Sequence, residues 1–190
     1  MPCPYRATAE KTDTMLITRV LPTLVLGVGS VLADGTSIVN AITAIQNATN
    51  ELATTVSNWN GNILGALPII VQSTELLNTI KKGTQTAEES AALADLEAVT
   101  VGLATITLVG NVNASLDTIV DAKPKFDRDL LTPVVLLNLE QERSASADFS
   151  DAIVSKLPAT FVSTGQQLAA QISEAFSEAI GVYSGGILSR

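Results

Sequence analysis

Between Thr36 and Trp59 the apolar residues fall on a beat of four and three. Ile38, Ile42, Ile45, Leu52, Val56 and Trp59, with Thr49 in step among them, line one side of a helix for about six turns. A strand would need a period of two, so this spacing predicts a helix with one long face to bury. Such a face is stable only against other elements with faces of their own. Asn60-Gly61 ends the segment.

Four further segments carry the same beat. The second runs from about Leu64 to Lys82, with Leu67, Ile70, Thr74 and Leu77 on one face and Pro68 in the first turn. Lys81 and Lys82 suit a helix C-terminus, and Gly83 is the expected stop. The third is expected to begin at Thr86, where Thr86 and Glu89 have the spacing of a capping box. Its stripe passes through Leu93, Leu96, Val99, Leu103, Ile106, Val109, Val112, Leu116 and Ile119, and Lys123-Pro124 breaks it. Taken alone, Val99 to Val109 is β-branched enough for a strand. The three-and-four spacing continues on both sides and no partner strand is in sight, so a helix is predicted. The fourth segment has Thr132 as cap with Pro133 behind it, then Val135, Leu139, Glu142, Ser146, Phe149, Ile153 and Leu157 on one face, ending before Pro158. The fifth runs from Ala159 to Tyr183 through Phe161, Gly165, Leu168, Ile172, Ala175, Phe176 and Ala179, with Gly185-Gly186 as its stop. The prediction is an all-α fold: an up-and-down bundle of about five long helices around a central apolar tunnel.

Ahead of these segments, Met15 to Ala33 has the pattern of a secretory signal peptide. Arg19 supplies the positive charge, Val20 to Leu32 the apolar stretch, and Val31-Leu32-Ala33 a cleavage site. The expected division is residues 1–33 as upstream residues plus leader, with a start at Met15, and residues 34–190 as the helical domain. Gly27 to Ser30 (GVGS) resembles part of a phosphate loop but lies inside that leader. Two glycosylation sequons, at Asn47 and Asn113, fit a secreted protein. Neither a C-terminal apolar tail nor a Ser/Thr/Pro-rich stalk is expected from this sequence.

Composition narrows the chemistry. Of 190 residues, 46% are apolar but only 4% aromatic, and 16% are charged, so the apolar content is aliphatic and the charges cannot cover a large surface. The net charge of −8 and pI near 4.4 disfavour nucleic acid and anionic membranes. There is no histidine, and the single cysteine, Cys3, lies ahead of the expected mature chain. Histidine-based nucleophile systems, thiolate metal sites and disulfides are therefore excluded. Carboxylate pairs at helical spacing, Asp117 with Asp121 and Asp148 with Asp151, are expected to be solvated faces rather than glycosidase centres. No catalytic residue, metal or cofactor is expected.

Polar residues that interrupt apolar stripes carry more information. Thr49, Thr74, Glu142 and Ser146 do so, and Gln72, Ser73 and Ser163 lie beside them. A hydroxyl there either bonds back to its own helix or forms the polar end of an apolar tunnel. Gln72, Ser73, Thr74, Ser146 and Ser163 are the candidate polar contacts of a lipid. The candidate apolar lining is Ile42, Ile45, Leu52 and Val56 from the first segment and Leu67, Val71 and Leu77 from the second. Leu103, Ile106, Leu116 and Ile119 follow from the third, Leu139, Phe149 and Ile153 from the fourth, and Leu168, Ile172 and Phe176 from the fifth.

From Asp34 onward the chain resembles the fungal hydrophobic surface-binding protein A family, which includes cell-wall galactomannoproteins. Gly65-Ala66-Leu67, Gln72-Ser73 and Glu75-Leu76-Leu77 carry the resemblance, followed by Asp121 to Phe126, Leu131 to Val135 with Leu139, Ser155 to Pro158, and Ala169 to Ile172. The resemblance implies an all-α bundle that is secreted or wall-associated, and the absence of histidine, and of cysteine after the leader, makes an enzyme the weakest reading. The resemblance further implies either a carrier of a long-chain fatty acid between its helices or a protein that coats hydrophobic surfaces and recruits a hydrolase. A role in virulence is among those it implies.

Overall fold

The computed structural model describes residues 33–185. The leader, its GVGS stretch, Cys3 and the expected start at Met15 lie outside the described residues, apart from Ala33, which opens the first helix. Among the described residues there are six helices: α1 (Ala33–Asn58), α2 (Leu67–Glu89), α3 (Asp95–Asp121), α4 (Lys123–Arg128), α5 (Thr132–Val154) and α6 (Ala159–Gly185). A 3-10 turn, Ile63–Ala66, leads into α2. No strand occurs among the described residues, and Val99 to Val109 is helical as expected.

The five long helices close into a ring. α1 packs on α2 and α3, α2 also on α5, α5 also on α6, and α6 also on α3. Neighbours in the ring are thus not always neighbours in sequence: α2 and α3 both flank α1. Each helix turns one face to the common axis. On α1 this is the face read from the sequence, with Ile38, Ile42, Ile45, Thr49, Leu52, Val56 and Trp59 all buried. α5 and α6 also follow expectation, burying Leu139, Glu142, Phe149 and Ile153, and Ile172, Phe176, Ala179 and Tyr183.

Several local expectations are corrected. α2 does not stop at Gly83 but runs on to Glu89. A Cβ on Gly83 would lie 3.1 Å from the Phe149 ring and 3.2 Å from Ile45, so the glycine serves close approach of α2 to α1 and α5. Thr86 is not a cap; its hydroxyl donates to the Lys82 carbonyl within α2. α3 begins instead at Asp95. There Glu97 reaches back to accept from the Ala94 N–H at 2.9 Å, half of a capping box. The same carboxylate accepts from Gly35 N–H at 3.3 Å and so joins the starts of α1 and α3. Thr132 is the first residue of α5 rather than its cap, and its hydroxyl donates to Asp127. Lys123-Pro124 does break α3, but the chain resumes at once as α4, which buries Phe126.

That short helix closes one end of the ring. Phe126 stacks on Trp59 at 4.6 Å and meets Tyr183 at 6.4 Å. Lys125 donates to the Trp59 carbonyl at 2.7 Å, and the Tyr183 hydroxyl to the Ile119 carbonyl at 2.6 Å. Burial, together with nearby Asp127, pushes the Tyr183 phenol above its ordinary pKa, so it stays a donor throughout the usual pH range.

Candidate functional site: a divided apolar interior

The axis of the ring holds three voids that share walls. The first, about 60 Å³, lies between α3, α5 and α6, lined by residues such as Val101, Leu108, Ile153, Leu157, Leu168 and Ile172. The second, about 30 Å³, sits at the centre among Ile45, Leu52, Ile80, Leu108, Ile119, Phe149 and Phe176. The third, also about 30 Å³, continues towards the aromatic end between Val56, Ile69, Phe126 and Leu139. Leu108, Phe149, Ser150 and Ile172 belong to both the first and second voids. Leu52, Ile119 and Glu142 belong to both the second and third.

The walls are largely apolar: Thr105 and Thr164 line the first void, Ser150 the first and second, and Asn138 the third, but the polar groups gather most densely around Glu142, which the second and third voids share. There α1 contributes Thr49, α2 Ser73, α3 Ser115, and α5 Glu142 and Ser146. Ser73 donates to Glu142 Oε1 at 2.7 Å. Glu142 is only 3% exposed. Burial pushes its carboxyl up to about 7, against the smaller opposing effect of the Ser73 hydrogen bond. Thr49 is equally buried, and its hydroxyl has no hydrogen-bond partner.

A groove on the seam of α5 and α6 leads inward. It passes over Ser146, Ser150 and Ile172, which also line the central void, and Arg143 stands on its rim. Ala147, Ala169, Ala170 and Ser173 keep the seam narrow in side-chain bulk. A larger hollow, about 510 Å³, is elsewhere: an open trough between α3 and α6 bearing Asp117, Glu174 and Glu178. Its acidity makes it a poor seat for an anion.

Many sequence candidates meet in this interior. Ile45, Leu52, Leu116, Ile119, Phe149, Ile172, Phe176 and Ser146 line the central void, Val56, Leu139 and Ser73 the third, and Ile153 and Leu168 the first. Ile42 is buried in the core beside them. Others are corrected. Leu67, Val71 and Thr74 face outward from α2, whose buried row is Ile69, Ser73, Leu76 and Ile80. Leu77 is only partly buried, packed on the rim of the core. Leu103 and Ile106 point to solvent, at 62% and 55% exposure. α3 turns Ala98, Val101 and Leu108 inward in their place. Ser163 is exposed on α6, and Thr74 bonds back to the Ile70 carbonyl. Gln72 is half-buried with an unpartnered Oε1, but lines none of the three voids. Leu76, Ile80, Leu108 and Ser115 also line these voids without having been expected there; their three-and-four spacing lies one position from the expected rows. Asn47 and Asn113 are exposed, as are Asp117, Asp121, Asp148 and Asp151.

A ring of helices closed around a largely apolar interior, with small linked voids and a buried carboxyl among them, defines a helical bundle with an internal apolar site. The chain belongs to the hydrophobic surface binding protein A family, whose model matches residues 35–155. It is 27% identical over 149 residues to cell wall mannoprotein 1 of Aspergillus flavus, covering 78% of this chain and 54% of that protein. The Aspergillus fumigatus protein of the same name is 27% identical over 164 residues, covering 83% and 57%. The chain thus spans about half the length of the curated relatives it matches. Among solved structures it is similar to AFMP4P in complex with palmitic acid, with a TM-score of 0.77 and 28% identity over 78% of this chain and 99% of that one. Ligand binding domain 1 of the Penicillium marneffei MP1 protein, complexed with arachidonic acids, shares the fold at a TM-score of 0.76 and 18% identity, covering 79% and 98%.

Proposed function

We propose that this protein is a secreted, non-enzymatic carrier that holds a long-chain fatty acid in the interior of its helical ring. The observation that carries the reading is the row of three linked, largely apolar voids with a buried carboxyl among them. Likeness to a bundle solved with palmitic acid supports it. Burying a sixteen-carbon chain is worth roughly 12 kcal/mol gross, at about 0.8 kcal/mol per CH₂, before the costs of binding. Ligand sites usually measure about 300–1,000 Å³. The voids are far smaller, so the ligand parts the helices as it enters. The α5–α6 seam, whose groove is lined by the small residues Ala147, Ala169, Ala170 and Ser173, is a place where the helices part with little loss of side-chain packing.

Glu142 has no second carboxylate beside it in the voids, which fits binding rather than hydrolysis. The relatives' name, cell wall mannoprotein, supports an extracellular or wall location, and exposed Asn47 and Asn113 are accessible for glycosylation.

A second reading has its own observation. Leu96, Val99, Leu103 and Ile106 form an exposed apolar row on the outer side of α3, suited to adsorption on a hydrophobic solid. The double variant Leu103→Ser/Ile106→Ser separates the two. A carrier keeps saturable uptake of palmitate by delipidated protein, within about twofold, while adsorption to polystyrene falls. Loss of palmitate uptake in this variant, or none in the parent, would sink the carrier reading.

A further inference from the structure

Glu142 is an unusual residue to place at the centre of an aliphatic bundle. A buried carboxyl is tolerated only if it is neutral or well partnered. Its one hydrogen bond in hand is the Ser73 hydroxyl, which occupies Oε1 as an acceptor. Oε2 is then the oxygen that carries a proton. Thr49 Oγ lines the same void and has nothing to bond to, although a helical threonine ordinarily donates to the carbonyl four residues back. Thr43, Thr54 and Thr55 on the same helix all do so. Two donors without an obvious protein acceptor therefore meet at one void, between helices α1 and α5.

Resting on the carrier reading, we propose that Glu142, Thr49 and Ser73 form an internal seat for the carboxyl head of the lipid, and that the ligand enters this seat together with one proton shared between the two carboxyl groups. The head lies midway along the axis, and the chain follows the adjoining voids as the helices part around it. Thr49 donates to one oxygen of the ligand carboxylate and neutral Glu142 to the other. No covalent bond changes. The proton comes from solvent when Glu142 is ionised beforehand.

The surroundings leave Glu142 as the group that titrates. Against it α1 presents Thr49, α2 Ser73, α3 Ser115, α4 Phe126 and α6 Phe176, none of which ionises near neutrality. On its own helix Glu140 and Arg143 are exposed. A fatty-acid anion beside ionised Glu142 would place two like charges in a desolvated site. Since the free carboxyl titrates at about 7, carboxylate binding is full strength below that pH and weakens about tenfold per unit above it. A fatty alcohol has no such requirement, because a hydroxyl serves either form of Glu142.

The test is calorimetry of palmitate and 1-hexadecanol binding to the delipidated protein, made without glycans, at pH 6 and pH 8.5. Repetition at the higher pH in two buffers of different ionisation enthalpy reads proton uptake. The expected result is an approximately 30-fold weaker palmitate Kd at pH 8.5, with about one proton taken up per ligand. Hexadecanol shows neither. Glu142→Gln, which still donates but cannot ionise, removes both effects and keeps palmitate tight at pH 8.5. Thr49→Val, nearly isosteric, weakens palmitate at both pH values and leaves the pH profile in place. Palmitate binding that is tight but independent of pH, or a profile unchanged in Glu142→Gln, would overturn the inference while leaving the carrier reading standing. No binding of either lipid at either pH would overturn both.

Discussion

Glu142 has a consequence for the protein even without ligand. Its carboxyl titrates at about 7 in the fold, against 4.5 as the ordinary value. The native state therefore holds a proton that the unfolded chain releases. This contribution to stability is fully present below pH 4.5, declines from there to pH 7, and is gone above it. The span corresponds to about 3 kcal/mol. Glu142→Gln does not titrate, so the variant should gain about that much on the parent between pH 4 and pH 8. Urea unfolding at the two pH values checks it; parallel stability curves would show that the carboxyl is not buried as described. The residue was visible in the sequence as an acid inside an apolar stripe. What the stripe could not reveal is that Ser73, from another helix, would be its partner.

Among the elements, α1 was fully legible because it has one apolar row and a polar remainder. α2 and α3 were not, for a physical reason. Each carries two apolar rows, and helical spacing alone does not say which of two rows faces inward. On α3 the larger residues, Leu103 and Ile106, attracted the sequence reading, while the smaller Ala98 and Val101 are the ones that fit against α1 and α6. Boundaries failed where a good motif had a better use: Gly83 for close approach and Thr86 for a bond within its helix. Glu97 was missed as a helix start because its partners include Gly35, far away in sequence. It serves unsatisfied N–H groups at two helix starts, so Glu97→Ala should cost about 2 kcal/mol in urea unfolding. A loss below about 0.5 kcal/mol would mean that the two helix starts do not depend on it.

At the scale of the whole molecule, the fold class followed from periodicity, but the ring did not. Closure depends on α2 and α3 both flanking α1, a pairing that short connections permit without specifying. It is this closure that gathers five apolar faces around one axis rather than into a packed layer. The interior is divided and small as it stands, and the exterior keeps an apolar row of its own, so both faces of the molecule offer a lipid something. Nuclear Overhauser contacts between ¹³C-labelled palmitate and protein methyl groups distinguish them most directly. A lipid held inside the ring gives contacts to Ile45, Leu108 and Ile172, and none to Leu103 or Ile106. Contacts confined to Leu103 and Ile106 would place the lipid on the outer face of α3 and contradict the interior site.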